Sequence, residues 1–201
     1  MASKISFDIS EALSILEIQH NAREVMLSIS RKVIQQSSSS IRSTHRGELD
    51  KAQELNDNSL ELLNSCRSEM LKFPGISANS MFYDAQKEYA ESCVTLAVIG
   101  GAQIPSMTEL NVEPPAYING IVEAASELRR SILDLLRQDN LERANELLEV
   151  MDEAYSMAVS IDFPDALTHG LRRTTDAFRA VLERTRGDIT TAVIFSKARL
   201  Q

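Results

Sequence analysis

From its first residue to Arg46 the chain contains neither glycine nor proline, and Ile9, Leu13, Leu16, Val25, Ile29 and Val33 fall mostly at helical intervals. A stretch of that length with a period near 3.6 and no breaker predicts one long first helix. Asp8 and Glu11 stand at the spacing of a capping box, which places its start. The run QQSSSS (35–40) has the composition of a flexible linker. Ile29, Val33, Ser37 and Ile41 nevertheless hold one phase through it, so the helix is expected to continue.

The remainder reads the same way. A second helix is expected from about Gly47 to Lys72, with a bend at NDNS (56–59) and a stop at FPG (73–75). A third begins near Asn79 as cap and ends at Gly100-Gly101, where glycine readily takes the left-handed conformation that closes a helix. After a connector, Pro114-Pro115 presets a fourth over roughly 116–136. A fifth covers about Asp139 to Ser160. A sixth opens at DFPDAL with Asp162 as cap, turns Leu167, Leu171, Phe178, Val181 and Leu182 inward, and ends near Gly187, before a short tail helix or arm. Strand formers are sparse and tryptophan is absent. The expectation is an all-α bundle of six to seven helices, built as a single domain over residues 1–201.

A net charge of −8, from 21 basic and 29 acidic residues, argues against a chain that coats nucleic acid with its whole outer surface, and leaves room for a local basic patch. Cys66 and Cys93 sit in helical patterns without metal-ligand spacing, as buried free thiols of a reducing, cytoplasmic setting would. No apolar run reaches the roughly 20 residues needed to cross a bilayer.

The third helix ends apolar, yet Asp84, Glu88, Glu91 and Thr95 follow one another along one stripe of it. On the fourth, Asn119, Glu123 and Glu127 form another stripe. Two readings stand side by side. A soluble bundle has charged outer faces, and the spacings alone are a weak motif. If the stripes face each other, the carboxylates repel and a divalent cation is their natural neutraliser; oxygen-only ligands suit Mg²⁺ or Mn²⁺, which serve phosphodiester cleavage. A di-iron site of the ferritin type would need two Glu-x-x-His pairs, and only Glu17 and His20 supply one. No arrangement supports a serine or cysteine nucleophile, and no glycine-rich phosphate loop is present.

Basic residues gather in the first helix. Arg23, Arg31, Lys32, Arg42 and Arg46 stand against one acid, Glu24, with His45 as a further donor. Arg31, Lys32, Arg42, His45 and Arg46, with the serine hydroxyls between them, are candidates for a phosphate track, or else salt-bridge partners within an acidic bundle. Arg129, Arg130, Arg172, Arg173 and Arg179 form a second group suited to surface or inter-subunit pairing.

Four segments, EVMLSISRKVIQQSSSSIRSTHR (24–46), QKEYAESCVTLAVIG (86–100), YINGIVEAASELRR (117–130) and LRRTTDAFRAVLERTRGD (171–188), resemble the translin/Trax family in order and spacing over nearly the whole chain. The resemblance implies a seven-helix bundle assembled into a hollow, roughly octameric shell with RNA inside. It also implies one of two activities. Trax-type subunits are Mg²⁺-dependent endoribonucleases on single-stranded or nicked RNA; translin-type subunits bind RNA and single-stranded DNA without the full acidic set. Glu88 and Glu91 match the family's EYxE pair, Glu123 the position usually held by Asp in Trax, and Glu127 the following Glu, so these four are the implied metal-holding and catalytic residues. The exchange to Glu123 keeps the charge but lengthens the arm by a methylene. A single Trax-like chain forming a homo-oligomer, with Mg²⁺ or Mn²⁺ as cofactor and single-stranded RNA as partner, is the expectation; a non-catalytic binder of single-stranded RNA or DNA is the alternative.

Overall fold

The glycine- and proline-free opening stretch forms one helix, α1 (Ser10–His45), in a computed structural model that describes residues 8–73 and 80–199. The serine run lies inside it. Ser37 and Ser40 are buried, and the Ser40 hydroxyl donates to the carbonyl of Ala52 in α2 (Leu49–Lys72) at 2.9 Å. Small side chains thus let two helices approach closely, with the Ser40 hydroxyl paired across the contact, and the composition that suggests a linker serves as a helix-packing seam. At the start, Asp8 accepts from the backbone and hydroxyl of Ser10 instead of closing a capping box with Glu11.

The second helix runs unbroken through NDNS. Asn56 and Ser59 are buried, with Asn56 Oδ1 accepting from Ser92 of α3 (Ser80–Gly100) at 2.8 Å and Ser59 donating to Gln36 of α1 at 3.3 Å. The expected Asn79 cap and the Pro74-Gly75 stop lie outside the described residues. A one-turn α4 (Met107–Leu110) in the connector carries a true capping box between Ser106 and Glu109. Helices α5 (Pro114–Arg137) and α6 (Leu141–Ser160) fall close to their expected spans, with proline in the first turn of α5.

The sixth predicted helix is divided. A single turn, α7 (Asp165–Thr168), is capped at Pro164 and not at Asp162, and His169 and Gly170 then both take positive φ before α8 (Leu171–Arg199). Leu167, expected inside, is therefore 62% exposed on the outer side of that turn. In α8, Leu171, Phe178 and Leu182 are buried and Val181 is half-buried as expected. The helix does not end at Gly187. Ile189 is buried and Val193 packs beside it, so the apolar phase continues across the glycine and holds it helical.

All described elements are helices, six long and two of one turn. They form two groups. Met26 and Val33 of α1, Leu63 and Cys66 of α2, and Phe82, Ala85 and Tyr89 of α3 share one core. Val122, Leu128 and Ile132 of α5, Leu147 and Met151 of α6, and Phe178 and Leu182 of α8 share the other, which Val94 and Val98 of α3 also enter. Helices α3 and α5 consequently lie back to back in the middle, each packed on its own group and on the other. Both cysteines are free; burial pushes the Cys66 thiol up to about 11 and that of Cys93 to about 12, so both are inert. Among the described residues no helix is long and apolar enough to cross a membrane.

Candidate metal centre between the central helices

The contact between α3 and α5 is set by one glycine. A Cβ placed on Gly120 would lie 2.8 Å from Ala90 Cβ and 3.0 Å from both the Glu91 nitrogen and the Lys87 carbonyl oxygen. Only a residue without a side chain permits so close a crossing. It brings the turn Lys87–Glu91 of α3 beside the turn of α5 that carries Glu123, so the two acidic stripes meet where the helices cross.

Glu88, Glu91 and Glu123 each offer a carboxylate oxygen, and the three oxygens lie within 4.8 Å of one another. Among the described residues this is the one group of three or more such ligands so arranged. Glu17 and His20 are exposed on α1 and join no cluster. Glu91 is 8% exposed, and burial, followed by the charges of Glu88, Glu123 and Glu127, pushes its carboxyl up to about 9. Burial also raises Glu88, with Glu123 and Asp84 adding and Lys87 opposing. These are the signs of negative charge held without full compensation.

One cation is already among them. Lys87 Nζ lies 2.8 Å from Glu123 Oε1, 2.7 Å from Glu123 Oε2 and 3.7 Å from Glu88 Oε1. Burial works against its charge, but the hydrogen bond and charge of Glu123, with Glu88 and Glu91, outweigh it and hold the ammonium above its usual value. Sequence reading passed over this residue because it stands one position off the acidic stripe, where a lysine reads as an ordinary surface charge.

Glu127 is placed differently. It lines the same basin, but His45 Nε2 lies 3.0 Å from its Oε2, while His45 Nδ1 is 3.2 Å from Ser131 Oγ. Nε2–H donates to the carboxylate, and Nδ1 stays in hydrogen-bond contact with the serine hydroxyl, so both ring nitrogens are engaged. That hydrogen bond, aided by the His45 and Arg130 charges and opposed by burial, holds Glu127 below the usual carboxylate range. The His45 side chain is 1% exposed. Asp84 stands outside the cluster, and Asn119 turns away to donate to the carbonyls of Pro115 and Thr168 and accept from Thr174, tying α5 to α7 and α8.

The cluster opens into a basin of about 630 Å³ lined by α1, α3 and α5, with Ser38, Arg42, Ser126 and Arg130 among its residues. Of the first-helix cations, Arg42 reaches it; Arg31, Lys32 and Arg46 are exposed and do not line it. Of the second basic group, Arg129 pairs with Asp188 and Thr185 within the chain, whereas Arg130 faces the basin. The donor set is oxygen only, with one member buried and short of positive charge, which fits a hard divalent cation such as Mg²⁺ or Mn²⁺ better than a softer metal.

Fold and site together define an all-helical protein with a carboxylate cluster in an open basin between its central helices. Two solved structures of AfC3PO share both extent and topology. The AfC3PO–duplex RNA complex is 31% identical with a TM-score of 0.86, covering 96% of this chain and 98% of that one. Crystalline AfC3PO alone is 32% identical with a TM-score of 0.84, over 96% and 99%. The chain belongs to the translin/Trax family, the C3PO proteins among them. Apo-NeC3PO, at 20% identity, has the same fold with a TM-score of 0.80 over 94% of this chain and all of its own. An uncharacterized protein of Methanocaldococcus jannaschii is 27% identical over 191 residues, 92% of this chain and 83% of its own length. No family model matches the chain.

Proposed function

We propose that this protein is a divalent-metal-dependent endoribonuclease of the Trax type, acting as a homo-oligomer. The observation that carries the reading is the buried Glu91 carboxyl, crowded by Glu88 and Glu123 in a basin that Arg42 and Arg130 also line. The relation to AfC3PO, which is known in complex with duplex RNA, supports a phosphodiester as the group that enters the basin.

Glu88, Glu91 and Glu123 would hold Mg²⁺ or Mn²⁺. Such a cation supplies Lewis-acid stabilisation of phosphoryl oxygen and lowers the pKa of water. Glu127, kept ionised by the His45 hydrogen bond, is positioned on the same basin to accept a proton from an attacking water. Arg42 and Arg130 are the phosphate-gripping cations, with the exposed Arg31, Lys32 and Arg46 extending the track along α1. Single-stranded RNA is the proposed substrate, with duplex RNA as the second arm of the test. Residues 1–201 act as one cytoplasmic domain in this reading.

Assembly is supported by apolar surface. Ile9, just ahead of α1, and Leu13, Ile15, Leu16 and Ile18 in its first turns are exposed, with no described residue burying them. A projecting amphipathic helix of that length is marginal in water alone, and a second copy of the chain is the proposed cover, in a closed shell of about eight.

One observation favours a second reading. Lys87 partly neutralises the cluster from within, so the glutamates could be structural and the protein a non-catalytic binder of single-stranded RNA or DNA. Incubating purified protein with end-labelled single-stranded and duplex RNA, in Mg²⁺ or in EDTA, separates the two. Cleavage only with metal is expected; salt-sensitive binding without cleavage would leave the binder.

A further inference from the structure

We propose that Lys87 is a displaceable internal counterion of the glutamate cluster, competing with a divalent cation for the Glu123 carboxylate. The inference rests on the metal-site reading above and goes beyond it, because it assigns to a residue outside the ligand set the control of how tightly that set binds metal.

The geometry is specific. Lys87 Nζ lies within 2.8 Å of both oxygens of Glu123 and leans toward Glu88. A metal ion shared by Glu88, Glu91 and Glu123 needs an oxygen of the carboxylate that Lys87 now spans. Two positive charges cannot share it closely, since like charges a few ångströms apart repel strongly in a half-buried, water-poor site. The lysine therefore has to move when metal enters. It is able to: the side chain is a flexible four-carbon arm, 19% exposed, that borders the open basin. The same ammonium stabilises the metal-free fold, where three carboxylates would otherwise face one another uncompensated.

Binding of Mn²⁺ measured by calorimetry on the assembled wild type, Lys87→Met, Lys87→Arg and Glu91→Gln tests this without reference to activity. Removing the competitor is expected to tighten Mn²⁺ binding by on the order of tenfold, within the range of ordinary site–site coupling. Lys87→Arg, which keeps the charge, is expected to bind no tighter than wild type. Melting in chelator should place Lys87→Met below wild type, with a larger rise on adding Mn²⁺. If Lys87→Met does not fold, Lys87→Gln, which retains a polar head, carries the comparison. Unchanged or weaker Mn²⁺ binding in the neutral variant, with binding lost in Glu91→Gln, would overturn the role of Lys87 and leave the metal site standing. Binding that survives Glu91→Gln at wild-type strength, or that is absent from every form, would overturn the site reading and this inference with it.

Discussion

Gly120 of α5 faces Glu91 of α3 so closely that a methyl group on it would stand 3.0 Å from the Glu91 backbone nitrogen. The residue that sets the distance between the central helices is thus one turn from Glu123 and in contact with the turn that carries Glu88 and Glu91. Helix crossing and carboxylate cluster are one construction.

Replacing Gly120 by alanine gains about 1 kcal/mol of helix propensity but forces a methyl group onto backbone and Cβ atoms that cannot yield separately. Against an overpacking cost of about 1–3 kcal/mol, a net loss of up to about 2 kcal/mol in chemical denaturation is expected, with Mn²⁺ binding weakened because Glu123 is carried away from α3. An unchanged denaturation midpoint would show that the helices separate at no cost.

His45 holds Glu127 with one ring nitrogen and Ser131 with the other. His45→Ala should cost about 1–3 kcal/mol of stability by leaving a half-buried carboxylate without its donor. RNA affinity should change little. Arg42→Ala and Arg130→Ala should do the reverse, weakening RNA binding and lowering its dependence on log salt by about one unit of slope each, as filter binding over a salt series will show.

Without metal, stability should fall as pH rises. Glu91 titrates near 9 in the fold against 4.5 in the unfolded chain, so between those values the folded state keeps a proton the unfolded state has released. Stability is greatest below the lower value and is lost on the way to the upper, with a slope of at most about 1.4 kcal/mol per pH unit for one proton. Denaturation in chelator at several pH values should show this component in wild type and its disappearance in Glu91→Gln. Mn²⁺, which needs the ionised form, should bind more tightly as pH rises toward 9 and release protons as it does.

The exposed α1 stripe should hold the assembly together. Leu13 and Leu16 are 55% and 59% exposed in the single chain, and Leu13→Asp with Leu16→Asp should reduce the mass seen by light scattering to that of smaller species. The helical circular-dichroism signal of the bundle should persist. A full-sized particle in the double variant would place the subunit contact elsewhere.

Much of this molecule was legible in its sequence because it depends on local pattern. The long α1, the absence of strands among the described residues and the two glutamate stripes all follow from spacing along single helices. What was not legible depends on pairs distant in sequence or on backbone conformation. The Glu127 partner of His45 lies 82 positions away. Gly120 reads as a mere weak spot in a helix until the facing backbone is known. The break between α7 and α8 comes from two successive left-handed residues, His169 and Gly170, whereas Gly187 leaves α8 intact because Leu182 before it and Ile189 and Val193 after it keep the helix packed. Glycine marks a break only where no apolar phase continues past it. Lys87 escaped notice for the opposite reason: its spacing says surface, and only three-dimensional proximity shows it among the acids.

The most direct test is cleavage of end-labelled single-stranded RNA in Mg²⁺ by wild type, Glu91→Gln and Glu123→Gln, each first shown to assemble and to bind RNA. The account predicts cutting by wild type that EDTA abolishes, and at least a hundredfold less by either variant, as loss of about 3 kcal/mol of transition-state stabilisation would give. Cutting by Glu91→Gln at the wild-type rate would contradict it.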